Sequence, residues 1–150
     1  MMADIIVRPM NENDISQAAD IHRNVIREGL GQGTNYAIED LFKSSIKKSP
    51  KTCLIALSDD KVGGFIIGGV KEWGFGVEHS GWIEMIEVDP KQMGKGIGKT
   101  LAEALINYFK NERIKEVYTS VKWDSGDLIA FFKSVGFDKS SFINLEHTSK

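Results

Sequence analysis

The sequence predicts an α/β fold of the mixed α+β kind, with one central twisted mixed sheet and helices on both of its faces. Three observations carry this. Apolar runs of strand length alternate along the chain with segments of helical period, so both kinds of element share one core. The clearest amphipathic pattern, Ile97, Leu101, Ala104, Leu105 and Phe109 on one helical face, follows directly on a strand that ends at Asp89-Pro90. No repeat, low-complexity tract or polar linker divides the 150 residues, so residues 1–150 read as a single domain.

Taken in order, Ile5-Ile6-Val7 is a short strand closed by Arg8-Pro9. Asn13 or Asp14 then caps a helix that carries Ile15, Ala18, Ala19, His22, Val25 and Ile26 on one face. His22 on that face reads as a satisfied core or boundary histidine and is left out of the site. Three glycines make residues 29–35 a loop, and Ile38, Leu41, Phe42 and Ile46 mark a second helix ending before Pro50. Residues 52–58 and 62–70 are strands joined by the turn residues Asp59-Asp60-Lys61. Gly63-Gly64 and Gly68-Gly69 in the second of them signal bulges or close backbone approach.

Residues 82–88 form the strand that Pro90 terminates, and the amphipathic helix follows. Residues 117–121 are a further strand, and residues 128–135 a short helix closed by Gly136. Phe137 with Phe142-Ile143-Asn144-Leu145 gives a last strand, for the order β-α-α-β-β-β-α-β-α-β.

Composition excludes several classes. A net charge of -2 and a pI near 5.9 give no general field for nucleic acid or an anionic membrane. No apolar run approaches the roughly 20 residues of a membrane helix. The start lacks a basic segment followed by an apolar one, so a cytoplasmic location is expected. The single cysteine, Cys53, lies in an apolar strand and reads as core rather than nucleophile. His22, His79 and His147 have no metal-ligand spacing, and no metal is expected.

The segment from Pro90 to Thr100 joins a strand to a helix, so unpaired N–H groups and the positive end of a helix dipole converge there. Gly94, Gly96 and Gly98 remove side chains at alternate positions, and Lys95 and Lys99 add positive charge. A phosphate-bearing ligand fits such a turn. A Walker A loop would need glycine at Met93, five positions before Gly98-Lys99-Thr100, and a dinucleotide fingerprint would need two residues between Gly96 and Gly98, where only one stands.

Val88-Asp89-Pro90, two further residues, then Met93-Gly94-Lys95-Gly96-Ile97-Gly98 and Leu101 resembles the acetyl-coenzyme A pyrophosphate loop of the GNAT superfamily of N-acetyltransferases. Leu128-Ile129-Ala130-Phe131-Phe132-Lys133-Ser134-Val135-Gly136-Phe137 is similar to that superfamily's closing helix, and the order of elements agrees over nearly the whole chain. The resemblance implies transfer of acetyl from acetyl-CoA to a primary amine by direct attack in a ternary complex. It implies that Ile86, Glu87 and Val88 hold the pantetheine arm, that Met93, Gly94, Lys95, Gly96, Ile97, Gly98 and Lys99 hold the diphosphate, and that Ser125 and Phe132 contribute from the closing helix. Three positions depart from the pattern: Met93 replaces Arg or Gln, Ser125 replaces Asn, and Phe132 replaces the Tyr that protonates the leaving thiolate. Tyr118 or solvent is left for that step.

An alkyl amine has a pKa near ~10.4, so attack needs a base. Glu84 and Glu87 lie on the strand entering the loop, and strict alternation puts them on opposite faces. Glu84 is preferred as sharing a face with Trp82 and Ile86 of a strand expected to be buried, where desolvation raises a carboxyl pKa; relatives in the family also carry an acid at that place. Glu87 is the alternative. The acceptor is expected against the 29–35 loop and second helix, where Glu28, Glu39 and Asp40 suit a cationic amine and Trp73, Trp82 and Trp123 line a pocket. Met93, Ser125 and Phe132 also motivate a second reading, a non-catalytic acyl-CoA sensor, and a P-loop-like nucleotide-binding protein is the third. Pairing of edge strands into a homodimer is the form of assembly such a sheet allows.

Overall fold

The computed structural model describes residues 4–30, 37–74 and 77–150. The sheet has five strands in chain order: β1 (Ile5–Pro9), β2 (Cys53–Ser58), β3 (Lys61–Gly74), β4 (Val77–Val88) and β5 (Val117–Thr119). The first four are antiparallel neighbours, and β5 joins β4 in parallel, which makes the sheet mixed. Helices α1 (Ile15–Arg27) and α2 (Ile38–Lys48) cover one face, and α3 (Ile97–Asn111) and α4 (Gly126–Ser134) the other.

Each face owns a separate core, because alternate strand residues point to opposite sides. Ile15, Ala18, Val25, Ile38 and Phe42 pack with Cys53, Ile55, Phe65 and Ile67 on the first. Ile97, Leu101, Leu105, Phe109 and Phe132 pack with Leu54, Ala56, Ile66 and Ile83 on the second. The Arg8 guanidinium forks onto Asp14 at 2.7 and 2.9 Å, tying β1 to the start of α1 and holding the Asp14 carboxyl below its usual range. Asp14 also accepts the Asn11 N–H in a capping box, so α1 starts from a fixed point.

Glycines let α3 lie close on the sheet. A Cβ on Gly64 would meet the Glu87 carbonyl at 2.8 Å and Ile97 at 2.9 Å, and one on Gly68 would meet Leu105 at 2.7 Å. The glycine pairs read from the sequence as bulges are two register shifts. One leaves Gly63 as an extra residue in β3, between the pairs Ala56 with Gly64 and Leu57 with Val62. The other leaves Glu84 as an extra residue in β4, between Ile67 with Met85 and Gly68 with Ile83.

Two expectations about elements change. The β3–β4 hairpin is longer than residues 62–70 and 82–88, because polar residues such as Lys71, Glu72 and His79 continue the ladder in solvent where no hydrophobic alternation marks it. The final strand at residues 137–145 does not form. Phe142 packs edge-on to Tyr118 and Asn144 reaches Ser120, but Ile143 and Leu145 stay exposed and no ladder with β5 develops.

Gly81 lies where a Cβ would sit 2.7 Å from the buried Phe109 ring, whereas Gly126 has nothing within 4 Å. Gly81→Ala should therefore lower the unfolding free energy by about 1–3 kcal/mol through overpacking. Gly126→Ala, in the first turn of α4, should be neutral or raise it by about 0.5–1 kcal/mol. Urea unfolding of both variants checks the contrast.

Candidate active site

β4 is the strand on which the site is built. It pairs with β5 only at Gly81, Trp82 and Ile83, opposite Val117, Tyr118 and Thr119, and the Thr119 hydroxyl closes this end by donating to the Ile83 carbonyl at 2.9 Å. Beyond Ile83 the two strands no longer pair, while β4 continues to Val88 on the β3 side. The backbone of residues 85–88 is thus laddered to β3 along one edge, and along the other, the mouth of a wedge between β4 and β5, it has no strand partner among the described residues.

The wedge leads to the start of α3. Asp89 turns the chain: its N–H donates to Gly63 O, and its side chain accepts the Lys91 N–H. Gly94 and Gly96 follow at φ +86, the left-handed region that favours glycine, and neither has an atom within 4 Å of the place a Cβ would take. No side chain caps α3, so its first-turn N–H groups and the positive end of its dipole face this open space. Lys95 is exposed, and Lys99 is exposed with Glu103 at 3.9 Å.

The cofactor residues expected from the sequence separate by role. Gly94 and Gly96 have open space beside them, whereas a Cβ on Gly98 would meet the Phe131 ring at 3.2 Å, so Gly98 serves the packing of α4 on α3. Ile97 is buried in the core, so only its backbone is available. Met93 is 52% exposed. Ile86 and Val88 are partly buried on the α3 side, beside the wedge. Ser125 caps α4 through its carbonyl, which accepts the Ile129 N–H, and makes no side-chain cap. Phe132 is buried among Phe131 and Phe137, and brings no hydroxyl.

The two glutamates differ from expectation in both face and burial. Alternation breaks at the Glu84 bulge, so Glu84 lies over Gly69, with Oε1 3.6 Å from that residue's Cβ position, on the face turned to α1 and α2. Glu87 lies on that same face, and Ile86 on the opposite one. The burial expected of Glu84 belongs to Glu87: Glu84 is exposed, whereas the side chains of His22 and Glu87 are 0% and 5% exposed. His22 Nδ1 and Glu87 Oε1 are 2.7 Å apart in a hydrogen bond between α1 and β4. Burial raises the Glu87 pKa, and His22 partly offsets the rise. Burial and the nearby Glu84 charge together push the Cys53 thiol up to about 11, consistent with a core cysteine.

Sequence reasoning passed over the His22 partnership, which no spacing reveals because the two residues are 65 positions apart. It also missed a row across three strands on the Glu84 face, where the Lys71 ammonium sits 4.0 Å from the Trp82 ring centroid and Trp82 lies 5.3 Å from Tyr118. Of the other residues expected at an acceptor pocket, Trp123 is 89% exposed, Glu39 pairs with Arg23 at 3.7 Å, and Glu28 and Asp40 are exposed. The side chain of Trp73 and most of the 29–35 loop lie outside the described residues.

Known proteins share the family and the fold of this chain. The model of the acetyltransferase (GNAT) family matches residues 19–137, and the chain belongs to that family. It is 32% identical over 93 residues to a mycothiol acetyltransferase of Kocuria rhizophila, a match covering 60% of this chain and 31% of that protein, so the chain spans about a third of the curated relative's length. Its fold is similar to that of the aminoglycoside N-acetyltransferase AAC(6′)-Iy in complex with CoA, with a TM-score of 0.79 at 14% identity over 99% of this chain and 97% of that one. An aminoglycoside 6′-N-acetyltransferase of Acinetobacter haemolyticus superposes with a TM-score of 0.76 at 17% identity, over 97% and 99% of the two chains. A transcriptional regulator from Bacillus halodurans does so at 0.76 and 18%, over 97% and 100%.

The buried pair generates a stability test. His22→Ala leaves the Glu87 carboxylate without its partner, at a cost of about 3 kcal/mol at pH 7. A carboxyl with a raised folded pKa is least unfavourable below its unfolded pKa and becomes more so as pH rises through the folded one. The deficit should therefore be larger at pH 7 than at pH 4, as read from urea unfolding; an equal deficit at both would exclude an ionised Glu87 as its cause.

Proposed function

We propose that this protein is an N-acetyltransferase that binds acetyl-CoA along the free edge of β4 and transfers the acetyl group to a primary amine. The observation that carries the proposal is the loss of β4–β5 pairing after Ile83, in line with the uncapped α3 start flanked by Gly94 and Gly96. One ligand with an amide-bearing arm and a diphosphate suits both: the arm adds to an unpaired strand edge, and the diphosphate meets backbone N–H groups at a helix start. In this reading Ile86, Glu87 and Val88 offer backbone to the arm, residues 93–99 hold the diphosphate with Lys95 and Lys99 adding charge, and Ser125 and Phe132 border the site from α4. Family membership and a relative solved with CoA support it.

The chemistry is direct transfer in a ternary complex. The amine nitrogen attacks the thioester carbonyl, the Glu84 carboxylate takes the proton, and backbone donors on the β4 edge stabilise the oxyanion. The C–S bond then breaks, and the thiolate is protonated by Tyr118 or solvent. Glu84 is favoured as base because it is accessible and sits just past the last paired residue, whereas Glu87 is enclosed with His22 and holds β4 in place. Cys53 is buried and protonated, which argues against an acyl-enzyme.

Thiol release from acetyl-CoA should require an amine. Glu84→Gln should lower kcat by about 100-fold and remove the acidic limb of the kcat/KM profile. Gly96→Asn, whose side chain tolerates the left-handed region but fills the open space, should keep the melting temperature within a few degrees and weaken acetyl-CoA binding at least ~10-fold. Full turnover by Glu84→Gln across pH would move the base to Glu87 or water. The absence of a hydroxyl at Phe132 favours a second reading, an acyl-CoA sensor; tight acetyl-CoA binding with no transfer to any amine of a broad panel would select it.

A further inference from the structure

On the face turned to α1 and α2, β3 and β4 bring four side chains together at the closed end of the wedge. Lys71 is paired across the ladder with Ser80, and Gly69 with Trp82, so Lys71, Trp82 and the space above Gly69 are neighbours on one face. Trp82 is the Cα partner of Tyr118 on the next strand, and the two rings form a continuous wall. The Ser80 hydroxyl accepts the Trp82 indole N–H at 3.0 Å, which fixes the ring's orientation. Above Gly69, where no side chain intervenes, stands the Glu84 carboxylate.

The charges on this wall are of opposite sign and set apart. Gly69 and Lys71 are two residues apart on β3, about 7 Å by strand rise. The Lys71 ammonium rests on the Trp82 ring rather than on Glu84, and no ion pair joins the two among the described residues. Trp82 and Tyr118 are half-buried. A cation–π contact holds an ammonium less strongly than a charge-assisted hydrogen bond does, so a carboxylate would draw Lys71 toward itself. A ligand lying on Trp82 and Tyr118 would thus present its amine to Glu84 and an anionic group to Lys71. A polycation would meet the Lys71 charge, and a plain alkylamine would leave it unused.

We infer that Lys71, Trp82 and Tyr118 form the acceptor subsite, and that it takes an amine bearing its own carboxylate, a free amino acid with an apolar side chain. This rests on the acetyltransferase reading, since Glu84 must act on the amine that the wall presents. Gly69 lies between base and wall, and the Glu84 oxygen stands 3.6 Å from the place a Cβ would take there, an ordinary contact distance.

The test compares matched acceptors, phenylalanine with phenethylamine and leucine with isoamylamine, with acetyl-CoA binding measured calorimetrically on the same samples. The wild type should show a kcat/KM for each amino acid at least ~10-fold above that of its decarboxylated partner. Lys71→Met should raise KM for the amino acid about 10-fold with kcat little changed, bringing the two partners together, and Lys71→Arg should restore the preference. Equal or better use of the decarboxylated amines, or a Lys71→Met variant that keeps the preference, overturns the assignment. So does binding of acetyl-CoA with no acetylation of any amino acid, which leaves the acetyltransferase reading standing. Failure to bind acetyl-CoA overturns both.

Discussion

The extra residue that Glu84 inserts into the β3–β4 ladder resets which way every later side chain of β4 points. Before the bulge, Gly81 and Ile83 face α3; after it, Ile86 and Val88 do, so that Met85 and Glu87 turn to α1. Without the insertion Glu84 and Glu87 would stand on opposite faces, and only one of them could belong to a given site. With it, the carboxylate at the mouth of the wedge and the carboxylate that anchors the strand share a face. Bulges add local twist to a strand, and pairing with β5 ends at the residue just before this one.

A strand released from its neighbour on one edge needs support from elsewhere, and the buried His22–Glu87 hydrogen bond supplies a fixed point between α1 and β4. Such a pair is a modest contributor to net stability, because desolvation consumes much of the attraction. Its geometric demand is strict, since a 2.7 Å contact between two buried groups tolerates little shift of α1 against β4. The Arg8–Asp14 fork fixes the other end of the same helix. On the opposite face Gly64 and Gly68 draw α3 against the sheet, so the uncapped helix start lies beside the free edge. Helix packing on the two faces therefore places the two segments of the proposed site, the end of β4 and the start of α3.

The architecture was legible where burial leaves a period. The four helices, the glycine-marked bulges and the stop at Pro90 follow from local patterns, because each reflects a local rule of backbone or packing. The backbone form of the turn before α3 was legible too, since glycines suit the positive φ at Gly94 and Gly96. Gly98 shows the limit of that reading: its neighbours in sequence suggest a phosphate, whereas its neighbour in space is Phe131. The faces of Glu84 and Glu87 were misjudged because alternation counts residues, and a bulge changes the count without changing the letters. The His22 partnership and the Lys71–Trp82–Tyr118 row depend on strand register, which single-sequence periodicity does not encode. The closing strand was misread because Phe142, Ile143 and Leu145 satisfy propensity while lacking a ladder partner.

If the free edge of β4 and the first turn of α3 together receive one extended acyl-CoA, their backbone amides share a single fate on binding. Residue-resolved amide hydrogen exchange of the wild-type chain, with and without saturating acetyl-CoA, reads this directly. Protection should rise together at residues 84–88 and 94–99 and stay unchanged along β1 and β2. Exchange unaltered in both segments, or protection gained only in one of them, would contradict the account.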